Sequence, residues 1–254
     1  MFVFARFGLL AGVAVFAAAT PLSAAESEPF GGVTEHVSVE RDGLVVVEAE
    51  SAVAQTETET RAFYLTTAEL TPDVTPDGDP SHADSASGGA YLEILPDTRR
   101  SHDDKLVPGV NIQGESGKAA VLHYPIEFST PGRYFVWVRA YSTNSEDNGI
   151  HVGLDGDWPE TGARMQWCKG KNSWRWESRQ RTKKKHCGVP GLIYLDIEEP
   201  GRHVVQFSMR EDGFEFDQFL LTTDPEFARP GSALPASPTV PAQEEVIATA
   251  TDCE

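Results

Sequence analysis

The segment from Arg164 to Cys187 combines basic and aromatic side chains. It holds nine Lys and Arg residues but a single acid, Glu177, so it carries a formal charge of +8 while the rest of the chain carries −26. Guanidinium groups bind carboxylates or sulfates through paired hydrogen bonds, and aromatic faces stack on the C–H faces of sugar rings. The pattern predicts a surface for an anionic polysaccharide. The alternative is a basic loop that folds back on the acidic body, with its Trp side chains in a satellite core.

Eight side chains in or near this segment are candidates for contact with such a ligand. The bend at Trp158 directly follows a predicted strand, where a sandwich places its binding loops. Tyr141 and Asn148 lie at and after the end of another predicted strand and offer hydrogen bonds to hydroxyl groups. The full set is Tyr141, Asn148, Trp158, Trp174, Trp176, Arg175, Arg179 and Arg181.

Two carboxylates near the start of the chain could bind a metal ion. Glu48 and Glu50 are two positions apart on a predicted strand, so both side chains point to the same face. Because Ca²⁺ takes six to eight oxygen ligands, two carboxylates alone do not make a site, and a solvated pair on an edge strand is the alternative. The segments 77–79 and 155–157, both Asp-Gly-Asp, lack the full spacing of a calcium loop and are interpreted as turns.

The chain has three cysteines. Cys168 and Cys187 enclose eighteen residues, and in an oxidising compartment we expect them to form a disulfide worth roughly 3 kcal/mol in the chain-entropy model. A metal site at this pair is a weaker alternative, because His186 is the only nearby additional ligand. Cys253 lies in a polar tail and is expected to be free or to form an intermolecular link.

The N-terminus has the pattern of a secretory signal peptide. Arg6 precedes a short apolar stretch from Phe7 to Ala19, and the small residues Ser23 and Ala25 satisfy the cleavage rule. We therefore expect residues 1–25 to be removed and the mature protein to be secreted, periplasmic or on the cell surface. A retained anchor is the alternative, but the run is shorter than a membrane span, and no later stretch is long enough to cross a membrane.

Composition favours an all-β protein that does not bind nucleic acid. A net charge of −18 argues against a nucleic-acid partner. Twenty-two Gly and 17 Pro, together with many short β-branched or alternating runs and no βα repeat, favour an antiparallel β-sandwich or jelly roll. Eight strands are predicted: Leu44–Ala49, Ala90–Leu95, Ala120–Phe128, Tyr134–Tyr141, Ile150–Leu154, Leu192–Ile197, His203–Met209 and Phe214–Leu221.

The segments between these strands divide the chain. Residues 26–42 read as an N-terminal extension, residues 43–224 as the sandwich, and residues 225–254 as a linker-like or disordered tail rich in Pro, Ala and Thr. Residues 71–88 are rich in Pro, Asp, Ser and Gly and predict a long solvated loop.

Four motifs occur in an order that resembles a known family. They are Glu-Ala-Glu at 48–50, Pro-Gly-Arg-Tyr-Phe-Val-Trp-Val-Arg-Ala from Pro131, Pro-Gly-Arg-His-Val-Val-Gln-Phe from Pro200, and Asp-Gln-Phe-Leu from Asp217. Over residues 43–224 the chain resembles carbohydrate-binding modules of the family 6 and family 35 type. The resemblance implies a galactose-binding-like sandwich without catalytic activity, and a structural calcium ion held by Glu48, Glu50 and Asp217.

The expected function is therefore binding of a polysaccharide without turnover. The usual hydrolase and metalloprotease motifs are missing, but two carboxylates suffice for a glycosidase and a Tyr or His base for a lyase. A jelly-roll polysaccharide lyase or glycoside hydrolase stays an alternative, and so does a structural or adhesive protein of the cell surface.

Overall fold

A computed structural model describes residues 27–33 and 36–242. The predicted signal peptide, residues 1–25, and Cys253 with its proposed intermolecular link lie outside the described residues. Within the described ranges, no helix is both long enough and apolar enough to span a membrane.

In residues 27–33 and 36–242, sixteen strands form two sheets, and the short helical turns between them are of the 3-10 type. The strands are β1 (His36–Val39), β2 (Leu44–Glu48), β3 (Ala54–Thr56), β4 (Ala62–Thr67), β5 (Ala90–Leu95), β6 (Val121–Phe128), β7 (Gly132–Tyr141), β8 (Gly149–Leu154), β9 (Met165–Gln166), β10 (Arg175–Glu177), β11 (Arg179–Gln180), β12 (Val189–Pro190), β13 (Tyr194–Ile197), β14 (Gly201–Met209), β15 (Glu215–Thr222) and β16 (Thr239–Pro241).

The two sheets are built almost wholly from antiparallel pairs. The first sheet, sheet A, has the order β12-β11-β9-β8-β14-β6-β1-β16, with β3 also paired to β6. The second, sheet B, has the order β10-β7-β15-β5-β4, with β13 on β7 and β2 on β15. Only the β1–β6 pair is parallel among the strand pairs of the described chain. The predicted all-β antiparallel sandwich is confirmed.

Alternating side chains fill the space between the sheets. Leu122, Tyr124 and Ile126 on β6 are buried, whereas the intervening positions are partly exposed. The Tyr124 ring meets Phe219 of sheet B edge-on at 4.8 Å, and its hydroxyl donates to the Ala49 carbonyl at 2.7 Å. A buried aromatic ring with its polar atom satisfied thus joins the two sheets.

All eight predicted strands are present, with ends shifted by at most two residues. Their short β-branched and alternating runs are local signals that tertiary context reinforces. The other strands are mostly edge or very short segments, whose pairing depends on distant partners. One of them, β1, lies in the predicted N-terminal extension and pairs with β6 and β16.

The start of the predicted tail belongs to the folded body. Phe227 and Leu234 pack on an apolar patch of the outer face of sheet B. The Ser237 amide donates to the Val46 carbonyl at 2.8 Å, and the Val46 amide donates to the Ser237 hydroxyl oxygen at 3.0 Å. The linker-like interpretation of residues 225–241 is therefore corrected: the composition is linker-like, but sparse apolar residues anchor the segment.

Candidate functional site

The basic segment is tied into a closed loop at one edge of the sandwich. Cys168 and Cys187 form a disulfide with their Cα atoms 5.3 Å apart, which confirms the predicted pairing. Inside the loop, β10 pairs with β7 of sheet B, whereas β11 pairs with β9 of sheet A. Ser178, the residue between these two strands, donates its hydroxyl hydrogen to the Val136 carbonyl at 2.6 Å. The disulfide loop, residues 168–187, therefore bridges the edges of both sheets.

Two of the tryptophans near or inside the loop are core residues. Trp176 is 1% exposed, packs with Val46 and Leu220, and donates its indole N–H to the Ser232 carbonyl at 2.8 Å. Trp167 is equally buried and donates to the Arg175 carbonyl at 3.0 Å. The assignment of Trp176 to ligand contact is corrected, because the C-terminal segment covers its face of β10.

Trp174 and Tyr141 come together at the end of β7 and remain partly exposed. Their ring centroids are 5.4 Å apart in an edge-to-face arrangement. Tyr141 stacks on the imidazole of His82 at 3.7 Å, and the Trp174 indole donates to the His82 carbonyl at 3.3 Å. Arg139 lies 5.4 Å over the Trp174 ring. These contacts fix both rings, so they offer a preorganised aromatic surface.

A pocket of about 280 Å³ beside the loop is lined by cationic groups and a hydroxyl. Its basic residues are Arg164, which is ion-paired with Glu160, and Arg181 and Lys183, and no acid lines the pocket. His186 and Thr182 complete the lining, and burial lowers the pKa of His186, which favours its neutral form. Burial and then the charge of Arg210 lower the pKa of Arg181, which indicates a concentration of positive charge. Arg181 has no acidic partner among the ion pairs of the described chain, so its guanidinium group is available to an anion.

The other two predicted arginines already have a partner. Nε of Arg175 lies 3.9 Å and Nε of Arg179 lies 3.3 Å from the Glu177 carboxylate. With Lys169 and Arg229 they line a second pocket of about 240 Å³, which keeps an excess of positive charge despite Glu177. Arg175 and Arg179 thus add to the basic edge, but their charges are partly neutralised.

Asn148 and Trp158 have structural surroundings. Asn148 is 3% exposed, donates its amide hydrogen to the Ser145 carbonyl at 2.7 Å, and accepts from Gln166. Its place in the ligand-contact set is corrected, because both polar ends of its side chain are bonded within the protein, to Ser145 and Gln166. Trp158 is partly exposed. Its ring packs closely on Gly153, because a Cβ added to Gly153 would lie only 2.8 Å from a ring carbon of Trp158. Trp158 stays a proposed contact, outside the Trp174 aromatic cluster.

Glu48 is the last residue of β2, and Asp217 lies on β15. Glu50 lies in the 3-10 turn that follows β2, so it does not share a strand face with Glu48 as predicted. Glu48 and Glu50 each keep one buried oxygen without a hydrogen-bond partner, as metal ligands would. Burial, together with the charges of Glu48 and Asp217, raises the pKa of Glu50 to about 8. Asp217 differs, because it is ion-paired with Arg139 and accepts from the Ser87 amide at 2.6 Å. The two glutamates stay proposed calcium ligands, whereas Asp217 already has a cationic partner.

The structure contains a second acidic cluster that the sequence analysis did not predict. It joins residues of the loop between β4 and β5 to residues of β5 and β15 on the outer face of sheet B. The Asp-Gly-Asp at 77–79 was the only local signal, and it predicted a turn. Glu93 and Glu215 carry no local signal of a shared site, because only the register of β5 and β15 brings them together. The cluster members are Asp77, Asp79, His82, Glu93 and Glu215.

Comparisons with known proteins give one close relative in sequence. No protein-family model matches the chain. The uncharacterized protein P23 of Formosa agariphila is 58% identical over 188 residues, which are 74% of this chain and 46% of that protein. The chain therefore spans about half the length of this relative.

The solved structures to which the chain is similar include family 35 and family 36 carbohydrate-binding modules. A family 35 module from Clostridium thermocellum is 12% identical with a TM-score of 0.38, over 70% of this chain and 96% of the module. The family 35 module of Paenibacillus barcinonensis is 14% identical with a TM-score of 0.38, over 70% of this chain and 98% of the module. A family 36 domain of a xylanase from the hindgut metagenome of Trinervitermes trinervoides is 10% identical with a TM-score of 0.36, over 71% of this chain and 98% of that domain.

Proposed function

We propose that this chain is a non-catalytic module that binds an anionic polysaccharide through the disulfide loop and its flanks. The observation that carries the proposal is the pocket of Arg164, Arg181, Lys183 and His186, which has no acidic residue in its lining. In a chain with a net charge of −18, such a pocket concentrates positive charge at one edge. A polyanion is attracted there and repelled by the rest of the surface.

Recognition would combine charge with stacking. Arg181 offers a planar fork of N–H donors that matches a carboxylate or a sulfate, and Thr182 adds a hydroxyl. Trp174, in the same loop, and Tyr141 offer aromatic edges and faces to the C–H groups of a sugar ring. The ligand would thus be a chain of charged sugars rather than a small anion alone, because the rings supply contacts that an isolated anion does not use.

Three further assignments belong to the same proposal. The protein is exported, with the signal peptide at residues 1–25, and acts outside the cytoplasm. Glu48 and Glu50, with Asp217 nearby, hold a structural calcium ion, supported by their buried, unpartnered oxygens. Cys253 is available for an intermolecular link.

The proposal is tested by gel retardation of the protein in dextran sulfate, in polygalacturonate and in uncharged dextran. We expect retardation by at least one of the two polyanions, none by dextran, and neither new reducing ends nor unsaturated-uronate absorbance. Formation of product would instead show a lyase or hydrolase. Absence of both retardation and product would favour a structural or adhesive role.

A further inference from the structure

Two buried glutamates face each other on the outer side of sheet B. Glu93 on β5 is the direct cross-strand partner of Glu215 on β15, and their exposures are 3% and 1%. Like charges opposite each other destabilise a strand pair, and burying an unpaired carboxylate costs still more. A folded protein that keeps such a pair must compensate its charge.

The loop between β4 and β5 adds further carboxylates over this pair. One ligand oxygen from each of Asp77, Asp79 and Glu93 lies within 4.8 Å of the others. Asp79 also belongs to a second group of this kind, with His82 and Glu215. The two groups share Asp79, so they form one continuous cluster between the loop and the sheet.

The cluster has too few cationic partners. Nδ1 of His82 contacts the Glu215 carboxylate at 2.8 Å, and Thr143 donates its hydroxyl hydrogen to Asp79. Oε1 of Glu93 is buried without any hydrogen-bond partner. Among the ion pairs of the described chain, none includes Asp77, Asp79 or Glu93.

The basic side chains of the surroundings serve other acids. Lys171 lies 3.8 Å from Asp147, and Arg100 lies 3.9 Å from Asp97. The local excess is therefore one of negative charge, and the unpartnered oxygen of Glu93 is directed into it.

We propose that Asp77, Asp79 and Glu93 bind one Ca²⁺ ion between the β4–β5 loop and sheet B. Three carboxylates supply the oxygen ligands that a hard divalent cation prefers, and backbone carbonyls or water can complete the shell. His82 stays bonded to Glu215 and orients that carboxylate next to the ion. This site is separate from Glu48, Glu50 and Asp217, and it requires no bound polysaccharide.

The site would position the aromatic cluster. His82, on the same loop, stacks on Tyr141 and accepts from Trp174 through its carbonyl. An ion that fastens Asp77 and Asp79 to Glu93 would hold this loop against the sheet, and with it the imidazole that supports Tyr141.

The test counts calcium ions per chain on the full-length mature protein after removal of metal with a chelator. Calcium is titrated by calorimetry into the wild type, Glu93→Gln and Asp79→Asn, and bound metal is measured by mass spectrometry after dialysis. The control is Asp84→Asn, an exposed acid of the same loop. Glu50→Gln and the double variant Glu50→Gln/Asp79→Asn separate this ion from one at the other calcium site. Zinc and magnesium are titrated separately.

We expect Glu93→Gln and Asp79→Asn each to bind one ion fewer than the wild type, and Asp84→Asn to bind as many as the wild type. The double variant Glu50→Gln/Asp79→Asn should bind one ion fewer than Glu50→Gln alone, which separates this ion from one at Glu50. Asp79 is partly exposed and lies in the loop, so its variant provides the test should Glu93→Gln fail to fold. Unchanged stoichiometry and affinity in Asp79→Asn would overturn the proposal, and so would a wild type that binds no Ca²⁺. Binding of Zn²⁺ alone, lost in His82→Ala, would overturn the assignment to calcium.

Discussion

Trp174 and Trp176 are two positions apart but occupy different environments. The ring of Trp176 is enclosed by Val46, Leu220 and the C-terminal segment, whereas the ring of Trp174 sits partly exposed beside Tyr141. Burial determines which of two similar side chains can contact a ligand. The two residues therefore make a matched pair, one for stability and one for binding.

Replacing each tryptophan with alanine should separate these roles. Trp176→Ala is expected to lower the free energy of unfolding by about 3–5 kcal/mol, because it leaves a cavity in a packed cluster. Trp174→Ala is expected to weaken polysaccharide affinity about tenfold, with a much smaller effect on stability. Urea unfolding and gel retardation measure the two effects. An affinity of Trp174→Ala equal to that of the wild type would remove this residue from the site.

The sequence could not distinguish these two tryptophans. Alternation places residues two positions apart on the same face of a strand, so it predicts similar surroundings for both. In the structure β10 begins only at Arg175, and the distant segment that covers Trp176 leaves no local signal. The bond from Trp176 to Ser232 joins residues 56 positions apart. In the same way, Glu93 and Glu215 become neighbours only through strand register. By contrast, the disulfide and the eight principal strands follow from local patterns that the fold preserves.

At the scale of elements, the C-terminal segment stabilises sheet B from outside. Residues 225–241 cover the apolar patch around Trp137 and Trp176, and β16 closes the edge of sheet A on β1. The Leu234 amide donates to Gln218 at 3.0 Å, which fixes the segment against the middle of β15. The segment thus connects the outer face of sheet B to the edge of sheet A.

Truncation tests this role of the C-terminal segment. A chain that ends at Asp224 should unfold at a clearly lower urea concentration than the full chain, because it exposes the patch around Trp176 to water. A chain that ends at Ala242 keeps every described contact and serves as the control, with an expected midpoint close to that of the full chain. Equal midpoints for both truncations would show that the segment adds no stability.

At the scale of the whole molecule, stability should depend on pH through a buried histidine of sheet A. His151 is fully buried, donates from Nε2 to the Gln113 carbonyl at 3.1 Å, and accepts at Nδ1 from the Arg164 amide at 3.0 Å. Burial, with the charges of Arg210 and Arg164, lowers its pKa to about 4. Its neutral form is therefore satisfied in the fold, and its protonated form is not.

The sign of the effect follows from linkage. Between pH 6.5 and pH 4 the unfolded chain binds a proton at His151 that the folded chain does not, so stability falls as the pH is lowered through this window. The total loss is about 3 kcal/mol. Because carboxylates titrate in the same range, the measured quantity is the difference in unfolding free energy between the wild type and His151→Gln at each pH. A difference that stays constant from pH 7 to pH 4 would contradict the prediction.

The central claim is that the cationic pocket beside the disulfide loop binds a polyanion, and paired charge variants test it most directly. The dissociation constant for the more strongly retarding polyanion is measured for Arg181→Gln/Lys183→Gln and for Lys105→Gln/Lys118→Gln. Both double variants lose two positive charges, but Lys105 and Lys118 are exposed residues outside the loop. The account predicts that affinity falls about tenfold or more in the first variant and hardly changes in the second. Equal affinities of the two variants would contradict it.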